Sequence, residues 1–202
     1  MDAVLAQSSP VAPDLADATA DTAVSIPIED PILALIRDGR YRDAVSACAA
    51  THGTAVGRVC MALLGSQADA EEAVQETLLR AHRGMSTYRA EGSVKAWLCG
   101  IARHVCAHML ETRTKQRELL EIVPTDGEAK DVFIARRRTR VLRDALAKLK
   151  PSEREALVLR YVSDLSHREI AAATNLDEPT ARKRISRALA RLRSVLPDEE
   201  LE

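Results

Sequence analysis

The stretch from residue 165 to residue 196 constrains the fold more than any other part of the chain. It reads LSHREIAAATNLDEPTARKRISRALARLRSVL. Ile170 and Ala171 can pack inward from a short first helix, and Asn175 opens a turn because asparagine tolerates the left-handed backbone conformation. Apolar residues then recur at helical spacing along a longer second helix: Ala181, Ile185, Leu189 and Leu192. The pattern predicts a helix-turn-helix unit.

The second helix of this unit is strongly basic. Its other faces carry Thr180, Arg182, Lys183, Arg184, Arg187 and Arg191. A helix fits the major groove of DNA, where its first residues meet base edges while Arg and Lys neutralise phosphates. The alternative, without any role in DNA binding, is a helical hairpin with a solvated basic face. The capping residue, the turn residues and the basic charge all fit a DNA-binding helix-turn-helix, so DNA binding is the favoured interpretation.

Charge is distributed unevenly along the chain. The formal net charge is only −1, but residues 1–30 contain six acidic residues and no Lys or Arg, whereas residues 136–195 carry a net charge of +9. A basic C-terminal module on a near-neutral chain points to a nucleic-acid partner. The acidic N-terminal segment is typical of a solvating tail.

The composition predicts an all-α protein. Hydrophobic residues make up 46% of the chain but aromatics only 2%, so its cores must consist of Leu, Ile, Val and Ala. No strand-like alternation is present. Helical periodicity and capping residues predict helices at 31–38, 41–50, 55–64, 69–83, 94–118, 133–149, 152–162, 166–174 and 178–195, with an exposed loop at 85–93.

These elements group into two small helical domains joined by a flexible linker. We expect a disordered acidic tail at 1–29, a first domain at 30–118, a linker at 119–132, a second domain at 133–196 and an acidic tail at 197–202. The linker assignment depends on Pro124, Asp126 and Gly127, which favour a non-helical chain.

Several function classes find no support in the residues. No apolar run approaches the roughly 18 residues that span a bilayer, and no secretory signal begins the chain, so we expect a cytoplasmic protein without membrane insertion. No phosphate-binding glycine loop or G-x-S-x-G nucleophile motif is present, so an enzyme is not expected, nor is a cofactor.

The cysteines and histidines leave a metal role open but weak. Cys48, Cys60, Cys99 and Cys106 form no CxxC pair, and buried cysteine in such a protein usually behaves as a small hydrophobe. Cys48 with His52, and His104 with His108, each place two ligand types on one helical face, without a further ligand fixed by spacing. We expect no metal.

The helix-turn-helix segment resembles region 4 of bacterial RNA polymerase sigma factors. The family's recognition helix commonly reads T-V-K-S-R-L-x-R-A, and this chain has TARKRISRA from Thr180 to Ala188, preceded by the similar PSEREALVLRYVSDLSHREIA. The resemblance implies that this helix reads the minus-thirty-five promoter element through the six residues named above.

Two upstream segments resemble region 2 of the same family. DAEEAVQETLLRAHRG, from Asp69 to Gly84, resembles the helix that docks on the β′ clamp helices of polymerase, which implies contacts by Glu72, Gln75 and Glu76. WLCGIARHVCAHMLETR, from Trp97 to Arg113, resembles the helix that meets the minus-ten element. The residues implied there are Tyr88, Arg89, Glu91, Lys95, Arg103, His104 and Arg113, with Trp97 in the core.

The resemblance covers about residues 31–196, and the lack of further regions suggests the extracytoplasmic-function group. His104 stands where the family usually has Asn, and His108 and Glu111 replace a commoner Asp and a basic residue. The implied partners are core RNA polymerase (the β′ clamp helices and the β subunit), promoter DNA and an anti-sigma factor. Two alternatives remain: a stand-alone helix-turn-helix regulator with a helical ligand-binding domain, and a metal-dependent helical enzyme.

Overall fold

The computed structural model describes residues 30–90, 92–120 and 141–196, with the side chains of 117–120 left aside. Every regular element in these ranges is helical, which confirms the all-α prediction. The predicted tails, at 1–29 and 197–202, lie outside the described residues, as does most of the predicted linker. The helices form two units, one before and one after that linker.

The first unit contains four α-helices: α1 (Pro31–Arg37), α2 (Tyr41–Leu64), α3 (Gln67–Gly84) and α4 (Val94–Leu120). Asp30 caps α1, accepting a hydrogen bond of 2.9 Å from the backbone N–H of Ile32, and Pro31 occupies the first turn, as predicted. Ser93 caps α4 by accepting a bond of 3.1 Å from the N–H of Ala96. The last two residues of α4 fall within the predicted linker.

The prediction of two helices between residues 41 and 64 was wrong. α2 runs without a break through His52 and Gly53, because Cys48 and Val56 on either side are both buried in the core. Packing of this apolar face outweighs the cost of glycine inside a helix, about 1 kcal/mol. The helix ends at Gly65, whose φ of 74° lies in the left-handed region.

The boundaries of the next two segments also differ from prediction. α3 begins two residues early, because Ser66 rather than a later residue provides the cap. The loop predicted at 85–93 begins with a short 3₁₀ helix, Met85–Thr87, and Met85 is buried rather than exposed. This turn fixes the path of the chain into α4.

The second unit contains a helical segment at 141–147 (α5) and three further helices: α6 (Pro151–Tyr161), α7 (His167–Thr174) and α8 (Glu178–Val195). The limits of α6, α7 and α8 lie within one residue of those predicted. The predicted start of α5 lies outside the described residues. Ser166 and Glu169 form the expected capping box on α7, with bonds of 3.2 and 2.9 Å between each side chain and the other residue's N–H.

The two units share one hydrophobic core. α7 packs on α4 and α6 packs on α2, while α6, α7 and α8 also pack on one another. Leu98, Cys99 and Val105 of α4 belong to the same buried cluster as Leu159, Leu165 and Ile170 of the second unit. The model therefore describes a closed arrangement in which the units touch directly.

One helix, α2, is long and apolar enough to cross a membrane on length and composition alone. It packs, however, against α1, α3 and α4 of the first unit and against α6 of the second. The core helix of a compact domain meets the same criterion, so the match is weak evidence for a membrane segment.

The turn between α7 and α8 yields a stability prediction. Asn175 ends α7 with φ 53° and ψ 50°, and the next N–H, of Leu176, donates to the carbonyl of Ala171 at 2.9 Å. Asn175→Ala should lower the free energy of unfolding by about 1 kcal/mol, because alanine is strained in the left-handed region. Asn175→Gly should stay near wild type. Urea unfolding of the variants checks this, and equal stability of the alanine and glycine variants would contradict it.

Candidate nucleic-acid interface

The helix-turn-helix unit is built as the sequence predicts. Ile170 and Ala171 of α7 are buried, and so are Ala181 and Ile185 of α8. Asp177 caps α8 by accepting a bond of 3.2 Å from the N–H of Thr180. Ala188 is fully buried as well, although the predicted stripe had Leu189 and Leu192, which are only partly buried. The inward face thus holds α8 firmly and leaves its polar residues outside.

The basic residues of α8 differ in how far they are already engaged. Arg182 pairs with Glu178 at 2.9 Å on the exposed surface, and Arg187 donates to the carbonyl of Lys183 at 3.3 Å. Arg191 pairs with Glu153 of α6 at 2.9 Å. Thr180 and Arg184 are half-buried, whereas Lys183 and Arg187 are exposed. This basic surface remains open in the closed arrangement.

An aromatic pair stands at the entry to α4. The rings of Tyr88 and Trp97 have centroids 4.7 Å apart, and the Tyr88 hydroxyl donates to the carbonyl of Gly92 at 2.7 Å. Burial, with the nearby Asp30 carboxylate, raises the pKa of Tyr88 to about 12, so its hydroxyl remains a donor at neutral pH. Trp97 is partly buried against the core. The hydrogen bond and the ring contact together fix the loop that leads into α4.

The remaining residues of the predicted minus-ten surface fall into two groups. Arg89 is exposed, Lys95 is half-buried, and Glu91 lies outside the described residues. Arg103 and Arg113, in contrast, are held by ion pairs: Arg103 with Glu155 of α6 at 3.1 Å, and Arg113 with Asp69 of α3. The Arg113 hydrogen bond holds the pKa of the Asp69 carboxyl below its usual value.

His104 extends the Arg103 pair. A nitrogen of the Arg103 guanidinium lies 2.7 Å from Nε2 of His104. Because the guanidinium can only donate, the imidazole accepts at Nε2. Burial and the Arg103 charge lower the pKa of His104, so the ring is neutral at physiological pH. Arg103 is therefore held from two sides and must leave Glu155 before it can pair with a phosphate.

The polymerase-docking residues predicted on α3 share one outward face. Glu72 and Gln75 are exposed, and Glu76 pairs with Arg80 at 2.6 Å. The hydrogen bond from Arg80 lowers the pKa of Glu76, which keeps this carboxylate charged. We call Glu72, Gln75 and Glu76 the acidic ridge.

The sequence analysis missed the contact between α4 and α7. A Cβ atom on Gly100 would lie 3.1 Å from the carbonyl oxygen of Ala173, so any other residue would push the two backbones apart by a few tenths of an ångström. Ser93 and Glu169 hydrogen-bond across the same contact at 2.5 Å. The sole signal in the sequence was a glycine inside a strongly periodic helix.

A cavity of about 850 Å³ lies beside this contact. Its walls include Tyr88, Trp97 and Arg103 from the first unit and Ala172 and Asn175 from the second. The surface that the sequence assigns to the minus-ten element thus faces α7 and the following turn.

The cysteines are all buried and free. Burial raises the pKa of Cys48 and of Cys99 to about 11, so both thiols are protonated and unreactive at neutral pH. Within 30–90, 92–120 and 141–196, no three His, Cys, Asp or Glu side chains are grouped so that they could hold a metal ion.

Two family models match the chain. The model for sigma-70 region 2 matches residues 48–116, and the model for sigma-70 region 4 matches residues 139–192. The two matches correspond to the α-helical units before and after the predicted linker.

Curated relatives point the same way. The ECF RNA polymerase sigma factor SigE of Mycolicibacterium smegmatis is 32% identical over 159 residues, covering 75% of this chain and 61% of SigE. SigC, an ECF sigma factor of Mycobacterium tuberculosis, is 32% identical over 150 residues, covering 69% of this chain and 77% of SigC. The match to BldN of Streptomyces coelicolor covers 54% of BldN, so the chain spans between half and two thirds of the length of SigE and BldN.

Two solved structures share the fold. CnrH, in complex with the cytosolic domain of CnrY, has a TM-score of 0.60 at 22% identity and covers 82% of this chain and 94% of CnrH. The sigma factor RpoE of Bartonella quintana, in complex with the anti-sigma factor NepR, has a TM-score of 0.51 at 26% identity, covering 70% of this chain and 89% of RpoE.

The glycine contact predicts how the units can be separated. In Gly100→Leu, the added side chain meets the backbone at Ala173, so α7 must leave α4 and the radius of gyration should rise in small-angle scattering. Gly53→Leu is the matched control, because a Cβ atom added to Gly53 meets nothing within 4 Å. An unchanged radius in the Gly100 variant would show that this contact does not hold the units together.

Proposed function

The chain belongs to the sigma-70 family, in its extracytoplasmic-function group, and we propose on that basis that it is an initiation subunit of bacterial RNA polymerase. It binds core polymerase, recognises minus-thirty-five and minus-ten promoter elements and promotes DNA opening. The polymerase supplies the chemistry, so the chain is not an enzyme, and it works in the cytoplasm. One observation carries the proposal: an outward acidic ridge and an outward basic recognition helix lie on two separate units of one chain.

The acidic ridge supports docking to polymerase. Its three polar side chains lie on the outward face of α3, and the opposite face is anchored in the core by Ala73 and Thr77. Carboxylates on a rigid helix steer association with a basic partner surface. In the family these positions meet the β′ clamp helices, and we propose the same contact here.

The basic face of α8 supports reading of the minus-thirty-five element. Thr180, Lys183 and Arg184 lie in the first part of the helix, where recognition helices meet base edges. Arg187 and Arg191 lie later and suit phosphate contacts, as does Arg182 on the flank. The helix is fixed at its N-terminus by the Asp177 cap, so these side chains are presented from a rigid element.

The minus-ten element is assigned to the loop before α4 and to α4 itself. Tyr88, Arg89 and Glu91 would receive a base flipped from the non-template strand, and Lys95, Arg103, His104 and Arg113 would pair with the backbone or the neighbouring bases. Since Arg103 pairs with Glu155 in the closed arrangement, DNA binding at this surface requires the units to part.

We also propose that an anti-sigma factor binds this chain. RpoE of Bartonella quintana was solved with the anti-sigma factor NepR, and it shares the fold at 26% identity. Runoff transcription with core polymerase on genomic promoter fragments tests the function as a whole. Transcripts that appear only when both chain and core are present support it, whereas DNA binding without any transcription would favour a stand-alone regulator.

The ridge yields a prediction on polymerase affinity. Replacing Glu72 and Glu76 with Lys should lower the affinity for core polymerase at least tenfold, because two attractive charges become repulsive. Helix content in circular dichroism should not change. Asp38→Lys with Asp43→Lys is the control, since it alters the net charge equally at two exposed sites, one just after α1 and one in the first turn of α2, where Asp43 pairs with Arg40. Equal affinity for wild type and the ridge variant would exclude this docking face.

The recognition helix yields a prediction on sequence preference. Arg184→Ala should cost about 1–3 kcal/mol on the preferred minus-thirty-five site and relax discrimination there. Arg187→Ala should weaken all sites alike and lower the salt slope by about one. Arg191→Ala should likewise leave the preference unchanged, although it also leaves Glu153 without its partner. Selections on randomised DNA decide this, and a retained wild-type preference in Arg184→Ala would overturn the assignment of base-reading residues.

A further inference from the structure

An exposed apolar residue lies directly after the acidic ridge on the same face of α3. Leu79 is 53% exposed, and only two other large hydrophobic side chains are exposed among the described residues: Leu142 and Tyr161. Both of those lie in the second unit. On α3 itself, Leu78 packs against the core, so Leu79 is a leucine that the fold of the first unit does not use.

Helical geometry places Leu79 on the same face of α3 as the acidic ridge. It follows Glu72 by seven residues, Gln75 by four and Glu76 by three, and at 3.6 residues per turn these side chains form one continuous row. Glu72 and Leu79 differ by only about 20° around the helix axis. Arg83, four residues beyond Leu79, continues the row at its C-terminal end. An apolar side chain is thus bordered by carboxylates on one side and by a cation on the other.

This is the arrangement of a protein–protein contact. Binding energy in such interfaces is concentrated in a few central side chains that are desolvated on association, while surrounding polar groups exclude water and set orientation. Exposure of the Leu79 side chain to water is unfavourable in the free protein. That free energy is recovered only when a partner covers the side chain. The ridge carboxylates alone would contribute less, because exposed ion pairs are worth little in water.

We infer that Leu79 is the apolar anchor of the polymerase-docking surface and inserts into an apolar pocket on core RNA polymerase. The inference rests on the proposed function. Leu79, Glu72 and Gln75 are all exposed while α7 covers α4, so this surface is accessible before the two units separate. On this inference the closed protein can bind polymerase without first separating its two units.

Two variants of equal length isolate the role of the apolar side chain. Leu79→Gln and Leu79→Met are both good helix formers at an exposed position, so both should fold like wild type. Leu79→Met keeps the apolar contact and should bind core polymerase with nearly wild-type affinity. Leu79→Gln should bind about tenfold more weakly, mainly through faster dissociation. Surface-binding kinetics with the full-length chain and purified core polymerase measure both.

Salt separates the anchor from the charges. The tenfold loss in Leu79→Gln should be the same at low and at high ionic strength, because no charge is removed. The loss caused by reversing Glu72 and Glu76 should shrink at high salt, where surface charges are screened. A Leu79→Gln effect that disappears at high salt would overturn the anchor, since it would then act only through the neighbouring charges.

The possible failures are distinguishable. If wild type does not bind core polymerase at all, the proposed function is wrong. If the ridge reversal weakens binding but Leu79→Gln does not, only the anchor is wrong. If Leu79→Met loses as much affinity as Leu79→Gln, the position is sensitive to shape rather than polarity, and insertion into an apolar pocket is excluded.

Discussion

The close approach of α4 and α7 at Gly100 is the contact on which the closed arrangement depends. A glycine on one helix and alanines on the other let the two backbones come within van der Waals distance. In the same arrangement Ser93 reaches Glu169 of α7, and Arg103 reaches Glu155 of α6. The polar bonds are short-range and directional, so they select this one orientation. The small residues make the orientation possible.

Because of this contact, some candidate functional surfaces of the chain face the other unit and others point outward. The surface around Tyr88, Trp97 and Arg103 faces the second unit across a cavity. The acidic ridge on α3 and the basic face of α8 point outward. On the proposed function, such a chain can meet its partners through the acidic ridge and the basic face of α8 while the surface assigned to the minus-ten element still faces the second unit.

Local residues were sufficient to predict most helices, because their ends are set by local chemistry. Ser93, Ser166 and Asp177 each cap a helix by accepting a bond from the N–H three residues on, and such caps are visible in a sequence. The break proposed at His52-Gly53 was wrong because burial of Cys48 and Val56 is a tertiary effect. The contact at Gly100 was missed for a related reason. Small residues leave no periodic apolar signal, and the residues they meet lie more than 70 positions away in the sequence.

The ion pair between Arg103 and Glu155 explains why such a closed state can still open. Both side chains are 14% exposed, so much of their attraction offsets the cost of removing two charges from water. Glu155 accepts a single bond from this guanidinium, at 3.1 Å. On the proposed function, a DNA phosphate would replace Glu155 as the acceptor, and the released Glu155 would regain its hydration. The apolar contact between α4 and α7 would have no such replacement on DNA, so we expect the cost of separating the two units to come mainly from that contact.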